Sequence, residues 1–366
     1  MRKIVVSLSE GRSYPVFVGK MLFGEKGWKD CVFFPSKRGV LITNTTLDAL
    51  HTDKLVSSFE QEKFTLGKVV IPDGEAHKNL TTVEAIYHEL IRFDIDRRNF
   101  LLSFGGGVVT DITGFVASTF LRGIDYFQIP TSLLAQVDSS IGGKTGVNLQ
   151  EGKNLVGTFY QPRGVFIDLS FLETLPEREY REGLSEILKV AFLSGGDFLE
   201  FVEKYREAIK RRDWEVLEEL VILAVDFKRR IVEEDERDRG LRSILNYGHT
   251  VGHALEKALG YGVIRHGEAV AIGMVGEAFL AWKLGMSNEK IFKQQRAILQ
   301  SFGLPVSLEY PLDRLTCVSA LCRDKKKEEG QIRFVFLKDF GSPQWGVEVN
   351  ENDLEWVLSF LEKREE

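Results

Sequence analysis

Residues 99–120 read NFLLSFGGGVVTDITGFVASTF, and this stretch decides the fold class. The apolar run NFLLSF has the look of a buried strand and passes straight into Gly105, Gly106 and Gly107. A helical pattern, VVTDITGFVASTF, follows at once. Strand, glycine turn and helix form the repeating unit of a parallel sheet covered on both faces. The glycines let the backbone approach a pyrophosphate, and the free N–H groups of the helix start point at it. The spacing GGGxxxD is not the GxGxxG dinucleotide fingerprint. A tight turn, with Asp111 favouring the helix dipole, therefore competes with a nucleotide cradle.

The flanking sequence continues the alternation. KIVVSLS and PVFVG read as early strands, and GVLITN (Gly39 to Asn44) reads as a buried strand followed by a helical pattern to about Glu62. FTLGKVVIP is another strand, and Leu80 to Phe93 is an amphipathic helix with capping-type Asn79 and Thr81 before it. From about Pro176 the period is helical, in REYREGLSEILKVAFL, GDFLEFVEKYREAIKRR and WEVLEELVILAVDFKRRIVEED. Only IRFVFL and WGVEV look like strands there, joined by a loop with Gly341 and Pro343, and a capped helix follows Asn350. The expectation is a doubly wound, mostly parallel α/β domain over 1–175 and a mainly helical domain over 176–366. The break falls near Phe171 to Glu179.

A chain of 366 residues is too long for one ordinary core, which agrees with two domains. A net charge of −6 gives no reason to expect nucleic acid or a membrane as partner, so an anionic substrate needs locally clustered Lys and Arg. Cys31, Cys317 and Cys322 have no metal-ligand spacing and read as free thiols. With no apolar h-region in MRKIVVSLSEGRSYPVFVG and no membrane-length apolar run, a cytoplasmic protein is expected.

Chemistry concentrates in LRSILNYGHTVGHALEKALGYGVIRHGE, Leu241 to Glu268, which holds three of the six histidines. His249 and His253 are four apart and share a helix face, and His266 opens the next run after a glycine-bearing turn. This pattern suits a metal held by imidazoles from two elements and a carboxylate from elsewhere. Glu186 in GLSEILKVAF, three residues before Lys189, can supply that carboxylate; the alternative is an ordinary helix-surface ion pair. RGIDYFQIPTSLLAQVDSSIGGKTGVNLQEGKNLVGTF holds Thr131, Ser132, Asp138, Lys144, Lys153 and Asn154 with little that is apolar enough for a core. Its cations and amide suit an anion such as phosphate; a solvated loop is the plainer alternative. Lys228 and Arg242 flank the charge run FKRRIVEEDERDRGLR, and Lys325, Lys326 and Lys327 sit before a strand. By composition both are solvated surface.

Six motifs in order, GGGVVTDITGFVAS, RGIDYFQIPTSLLAQVDSSIGGKTGVN, GKNLVGTFYQP, GLSEILK, LRSILNYGHTVGHALE and HGEAVAIGM, resemble the 3-dehydroquinate synthases. The resemblance runs from roughly Asn44 to Lys327 and implies a Rossmann-like N-terminal domain followed by a helical one. It implies zinc or cobalt on Glu186, His249 and His266, with Lys189 beside them and His253 as an acid/base rather than a ligand. It implies NAD on Gly105, Gly106 and Gly107, with Asp111, Thr131, Ser132, Asp138, Lys144, Lys153, Phe171 and Thr174 along it. Asn44, Glu75 and Lys78 match positions near the adenosine end, although family members often carry Asp at Asn44. Asp238 stands where Glu is expected.

The implied substrate is 3-deoxy-D-arabino-heptulosonate 7-phosphate. Lys144, Asn154, Asn246, His253 and one lysine of the Lys325–Lys326 pair match the phosphate set, and Lys228 and Arg242 match the carboxylate pair. Arg122 matches an arginine that reaches the neighbouring subunit's site, which implies a homodimer. The resemblance implies that a bound metal would make a ring hydroxyl more acidic, with NAD taking up and returning a hydride around the loss of phosphate. A polyol or glycerol-type dehydrogenase shares the two-histidine site but typically has Asp at Glu186 and lacks the GGKTGVN…GKN loop. A sibling sugar-phosphate cyclase has no substrate carboxylate for Lys228 and Arg242. An NAD-binding module without catalysis would not need the metal ligands.

Overall fold

The computed structural model describes residues 1–24, 28, 31–260, 262–325 and 332–362, without the side chains of 322–325 and 351. Contacts divide the chain into two compact units, one of 1–176 with 228–236 and one of 177–227 with 237–366. The helix Trp214–Glu234 thus gives its last turns to the first unit. Its unbroken helical period hides this from a reading by segments.

In the first unit a seven-stranded sheet has the order β1-β2-β9-β6-β5-β3-β4. The strands are β1 Arg2–Val6, β2 Tyr14–Gly19, β3 Arg38–Asn44, β4 Thr65–Ile71, β5 Phe100–Gly105, β6 Asp125–Pro130 and β9 Val165–Asp168. Within this sheet, among the described residues, only β1 and β2 pair antiparallel. The period-two alternation of each strand feeds two cores. Val40, Ile42 and Leu101 face one side, against Val83, Ile86 and Leu90 of the helix Leu80–Arg92 and Ile112 and Val116 of the helix Gly107–Thr119. Leu41, Phe100, Leu102 and Phe104 face the other, in an aromatic-rich cluster with Trp28, Phe59 and Phe127. β5 lies between β6 and β3 and is buried throughout, so the glycine triplet emerges at the carboxyl end of an interior strand.

The segment from Arg122 to Asn154 departs from its reading as a region without a core. It contains β6, a π-turn at Ala135–Ser139 and a hairpin of β7 Lys144–Leu149 with β8 Gly152–Phe159. Tyr126, Phe127, Ile129, Ile141 and Val147 are fully or almost fully buried. Polar residues at the strand ends mask the apolar ones between them.

The second unit is helical around His266–Lys283, whose residues are buried along most of its length. The hairpin of β10 Ile332–Asp339 and β11 Ser342–Val349 is its sheet, and Asn350 caps the helix Glu351–Leu361 through its side chain. Pro343 lies inside β11 rather than in the connecting loop.

Candidate active site

The second unit gathers the three histidines. Gly248, at φ 78, turns the chain so that the helix His249–Leu259 starts at His249 itself. A Cβ on Gly273 would lie 1.9 Å from the Gly248 carbonyl oxygen, so only glycine lets this turn rest on the helix His266–Lys283. The ring centroids of His249 and His253 are 5.2 Å apart, those of His249 and His266 are 5.2 Å apart, and those of His253 and His266 are 5.7 Å apart. One nitrogen from each ring lies within 4.8 Å of the others.

Glu186 enters this cluster from the buried face of the helix Glu177–Ser194. Its Oε1 is 3.6 Å from Nε2 of His249 and 3.8 Å from Nε2 of His266. Lys189 is ion-paired with it, yet neither carboxylate oxygen accepts a well-aligned hydrogen bond among the described residues. Oε1 of this carboxylate, 1% exposed and turned to two imidazole nitrogens rather than to Lys189, is costly to bury unless it meets a second cation. His249 Nδ1 faces the Tyr247 carbonyl at 3.2 Å, and His266 Nδ1 faces Glu256 Oε2 at 3.4 Å. Both contacts occupy Nδ1 and present Nε2, the arrangement by which metal-ligating histidines are oriented. Burial, with Lys189, His253 and His266 nearby, holds His249 far below the usual imidazole range, in the neutral form that binds a cation. Two imidazoles and one carboxylate of this kind fit zinc or cobalt with a position left for substrate.

The first unit carries a separate polar cluster beyond the glycine triplet. A Cβ on Gly105 would lie 2.5 Å from Val109, so the strand-to-helix turn is closed too tightly for a larger residue. Ser132 and Ser139 line Gly106 and Gly107, and the Thr131 amide donates to the Gly105 carbonyl at 3.0 Å. Lys78 is buried, paired with Asp111, and donates to Asn154 Oδ1 at 2.7 Å. Burial works against its charge, but Asp111 and Glu75 outweigh that, and its pKa stands above the usual lysine value. His51 Nε2 and Thr174 Oγ1 are 2.7 Å apart beside Phe171, which packs on Phe104.

Comparison with known proteins fits this geometry. Residues 68–182 match the model for 3-dehydroquinate synthase N-terminal domains and 183–327 the model for their C-terminal domains. A 3-dehydroquinate synthase of Thermodesulfovibrio yellowstonii is 44% identical over 98% of this chain and 100% of its own. The chain belongs to the 3-dehydroquinate synthase family. Among solved structures, a 2-deoxy-scyllo-inosose synthase complexed with carbaglucose-6-phosphate, NAD+ and Co2+ superposes with a TM-score of 0.88 at 25% identity, covering 98% of this chain and 99% of that one. A 2-epi-5-epi-valiolone synthase from Streptomyces hygroscopicus subsp. jinggangensis with NAD+ and Zn2+ bound also gives 0.88, at 28% identity, covering 95% and 96%.

The other residues singled out for this 3-dehydroquinate synthase family site are distributed between the units. Asn44 caps the short helix Thr45–Leu47, its Oδ1 accepting from the Leu47 amide at 3.1 Å. Glu75 Oε1 accepts from Asn148 at 2.7 Å. Lys144 opens β7 and is exposed, and Lys153 lies in β8. Lys228 is buried rather than solvated; its Nζ donates to the Asp138 carbonyl at 2.6 Å and pairs with the Asp138 carboxylate. Arg242 is 2% exposed, again not the solvated helix end that composition suggests. Asn246 is exposed at the end of the 3-10 turn Leu241–Asn246. Arg122 is exposed at φ 68, directly after Leu121 at φ 51, two successive left-handed non-glycine residues. Asp238 also has positive φ, 54. Lys326 and the side chain of Lys325 lie outside the described residues. Sequence reasoning missed Asn148, Glu256 and Glu277. Glu256 follows His249 by two helical turns, and Glu277 is a lone carboxylate among apolar residues; both signals are visible in the pattern.

Proposed function

We propose that this protein is a 3-dehydroquinate synthase, converting 3-deoxy-D-arabino-heptulosonate 7-phosphate to 3-dehydroquinate and phosphate in the cytoplasm. The end-to-end relative at 44% identity carries this reading over that of a sibling sugar-phosphate cyclase, two of which superpose well at 25% and 28% identity. Glu186, His249 and His266 would hold zinc or cobalt, and the segment around Gly105–Gly107 would hold NAD. When bound, the two supply a Lewis acid and a hydride acceptor that is regenerated in each turnover.

The chain's own residues do the rest. Tyr247 and Glu256 hold the two ligand rings by Nδ1, fixing their tautomers. His253, one turn after His249, moves protons to and from a substrate hydroxyl. Lys144, Asn154, Asn246, His253 and a lysine of the Lys325–Lys326 pair bind the phosphate as it leaves. Arg242 meets the substrate carboxylate with a fixed fork of donors, and Lys228, held by Asp138, stands with it in the family's pattern. Arg122 completes the site of a partner subunit in a homodimer. Incubation with the heptulosonate phosphate, NAD and zinc or cobalt tests the proposal. Release of phosphate in step with dehydroquinate is expected; phosphate without the carbocycle, or neither, refutes it.

A further inference from the structure

The β7–β8 hairpin is irregular where it carries the proposed phosphate ligand. Val147 pairs with Val156 and Leu149 with Gly152, so the single residue Asn148 faces Lys153, Asn154 and Leu155. Such a bulge re-aims side chains and leaves amides without ladder partners. Asn148 compensates with its side chain: its Oδ1 accepts from the Asn154 amide at 2.9 Å. Its Nδ2 donates to Glu75 Oε1 at 2.7 Å, and its own amide donates to the Lys78 carbonyl at 2.8 Å. Asn154 holds a left-handed φ of 54 there. Its amide group is oriented too: an ammonium only donates, so the atom facing Lys78 at 2.7 Å is Oδ1, and the amide nitrogen is turned away.

The result is one chain of contacts, Glu75–Asn148–Asn154–Lys78–Asp111. Glu75, Lys78 and Asp111 stand at positions that the family resemblance implies for NAD, and Asn154 belongs to the proposed phosphate set. We infer that Asn148 is a positioning residue that ties the anion-binding bulge to the nucleotide-binding segment, so that the two ligands bind with linked affinity. The inference rests on the role given to Asn154 under the proposed function and on the place near the adenosine end that the family resemblance implies for Glu75. Asparagine is required because the position uses an acceptor and a donor at once. Aspartate keeps the acceptor but sets a carboxylate against Glu75, and alanine loses both contacts.

The test measures binding of inorganic phosphate and of NAD, each with and without the other, to the full-length metal-loaded protein. In the wild type each ligand tightens the other, severalfold or more, as coupled sites do, and reciprocally. Asn148→Ala and Asn148→Asp lose the mutual enhancement and weaken phosphate binding about tenfold, the scale of one buried hydrogen bond. The KM for the phosphorylated substrate rises with them while kcat moves less. The pair Asn148→Asp with Glu75→Gln reverses donor and acceptor across the same contact and restores phosphate binding toward the wild type. If Asn148→Ala folds and binds both ligands with unchanged enhancement, or if the double variant is no better than Asn148→Asp, Asn148 does not position the bulge. If the wild type binds no phosphate, the role of Asn154 falls first and this inference with it.

Discussion

Glu277 offers a quantitative prediction. It is 0% exposed in the helix His266–Lys283 and supplies the cap that Gly248 cannot, accepting from the Gly248 amide at 2.8 Å and the Val251 amide at 3.4 Å. It therefore anchors the turn from which His249 starts. Burial dominates the backbone bonds that favour its charge and raises its pKa from 4.5 to about 8. Between those two values the folded protein keeps a proton that the unfolded chain has released. The contribution to stability is thus fully present below pH 4.5 and is lost as pH rises through about 8. At about 1.4 kcal/mol per pH unit, the wild type loses roughly 3 kcal/mol between about pH 5.5 and 8 through this group alone. Glu277→Gln keeps a carbonyl acceptor and cannot ionise, so it is spared this loss. At roughly 2–4 °C per kcal/mol, the melting temperature of the variant relative to the wild type rises by about 6–12 °C over that pH interval. Thermal unfolding of both proteins at both pH values measures this, and a constant difference between them would refute the buried, proton-holding carboxylate.

Other substitutions probe the two clusters. Glu186→Ala removes the carboxylate between His249 and His266, and the protein is expected to lose zinc or cobalt on dialysis, measured by elemental analysis. Glu256→Gln, which weakens the support of His266 Nδ1, lowers metal affinity by about 10–100-fold in competition with a chelator. Lys78→Ala leaves the half-buried Asp111 without its ion-pair partner and destabilises the first unit by about 1–3 kcal/mol in urea, and the added Asp111→Asn recovers part of it. Arg242→Ala raises the KM for the heptulosonate phosphate much more than it lowers kcat; unchanged steady-state kinetics would remove Arg242 from substrate binding.

Much of this architecture can be read from the chain because its signals are local. NFLLSF followed by three glycines is a buried strand meeting a helix, and β5 with the helix Gly107–Thr119 is that unit in place. The histidine spacing likewise announces a cluster, since residues four apart share a helix face. What spacing cannot show is which nitrogen each ring presents. That depends on Tyr247 and Glu256, contacts that exist only once the helices pack. The hairpin was hidden for another reason. Lys144, Asn148, Lys153 and Asn154 look like loop composition, and Asn148 and Asn154 are ordered by Glu75 and Lys78, about seventy residues away in sequence. Lys228 shows the same effect: a cation in a charge run reads as solvated until Asp138 is brought against it.

Under the proposed function, oxidation of the substrate is transient and serves an elimination. The most direct measurement supplies the heptulosonate phosphate with NAD at far below its concentration, and follows phosphate and reduced nicotinamide together. Many phosphates released per NAD with no net accumulation of reduced nicotinamide is the predicted result. Reduced nicotinamide accumulating in proportion to product, or turnover that stops after one equivalent of NAD, would contradict it.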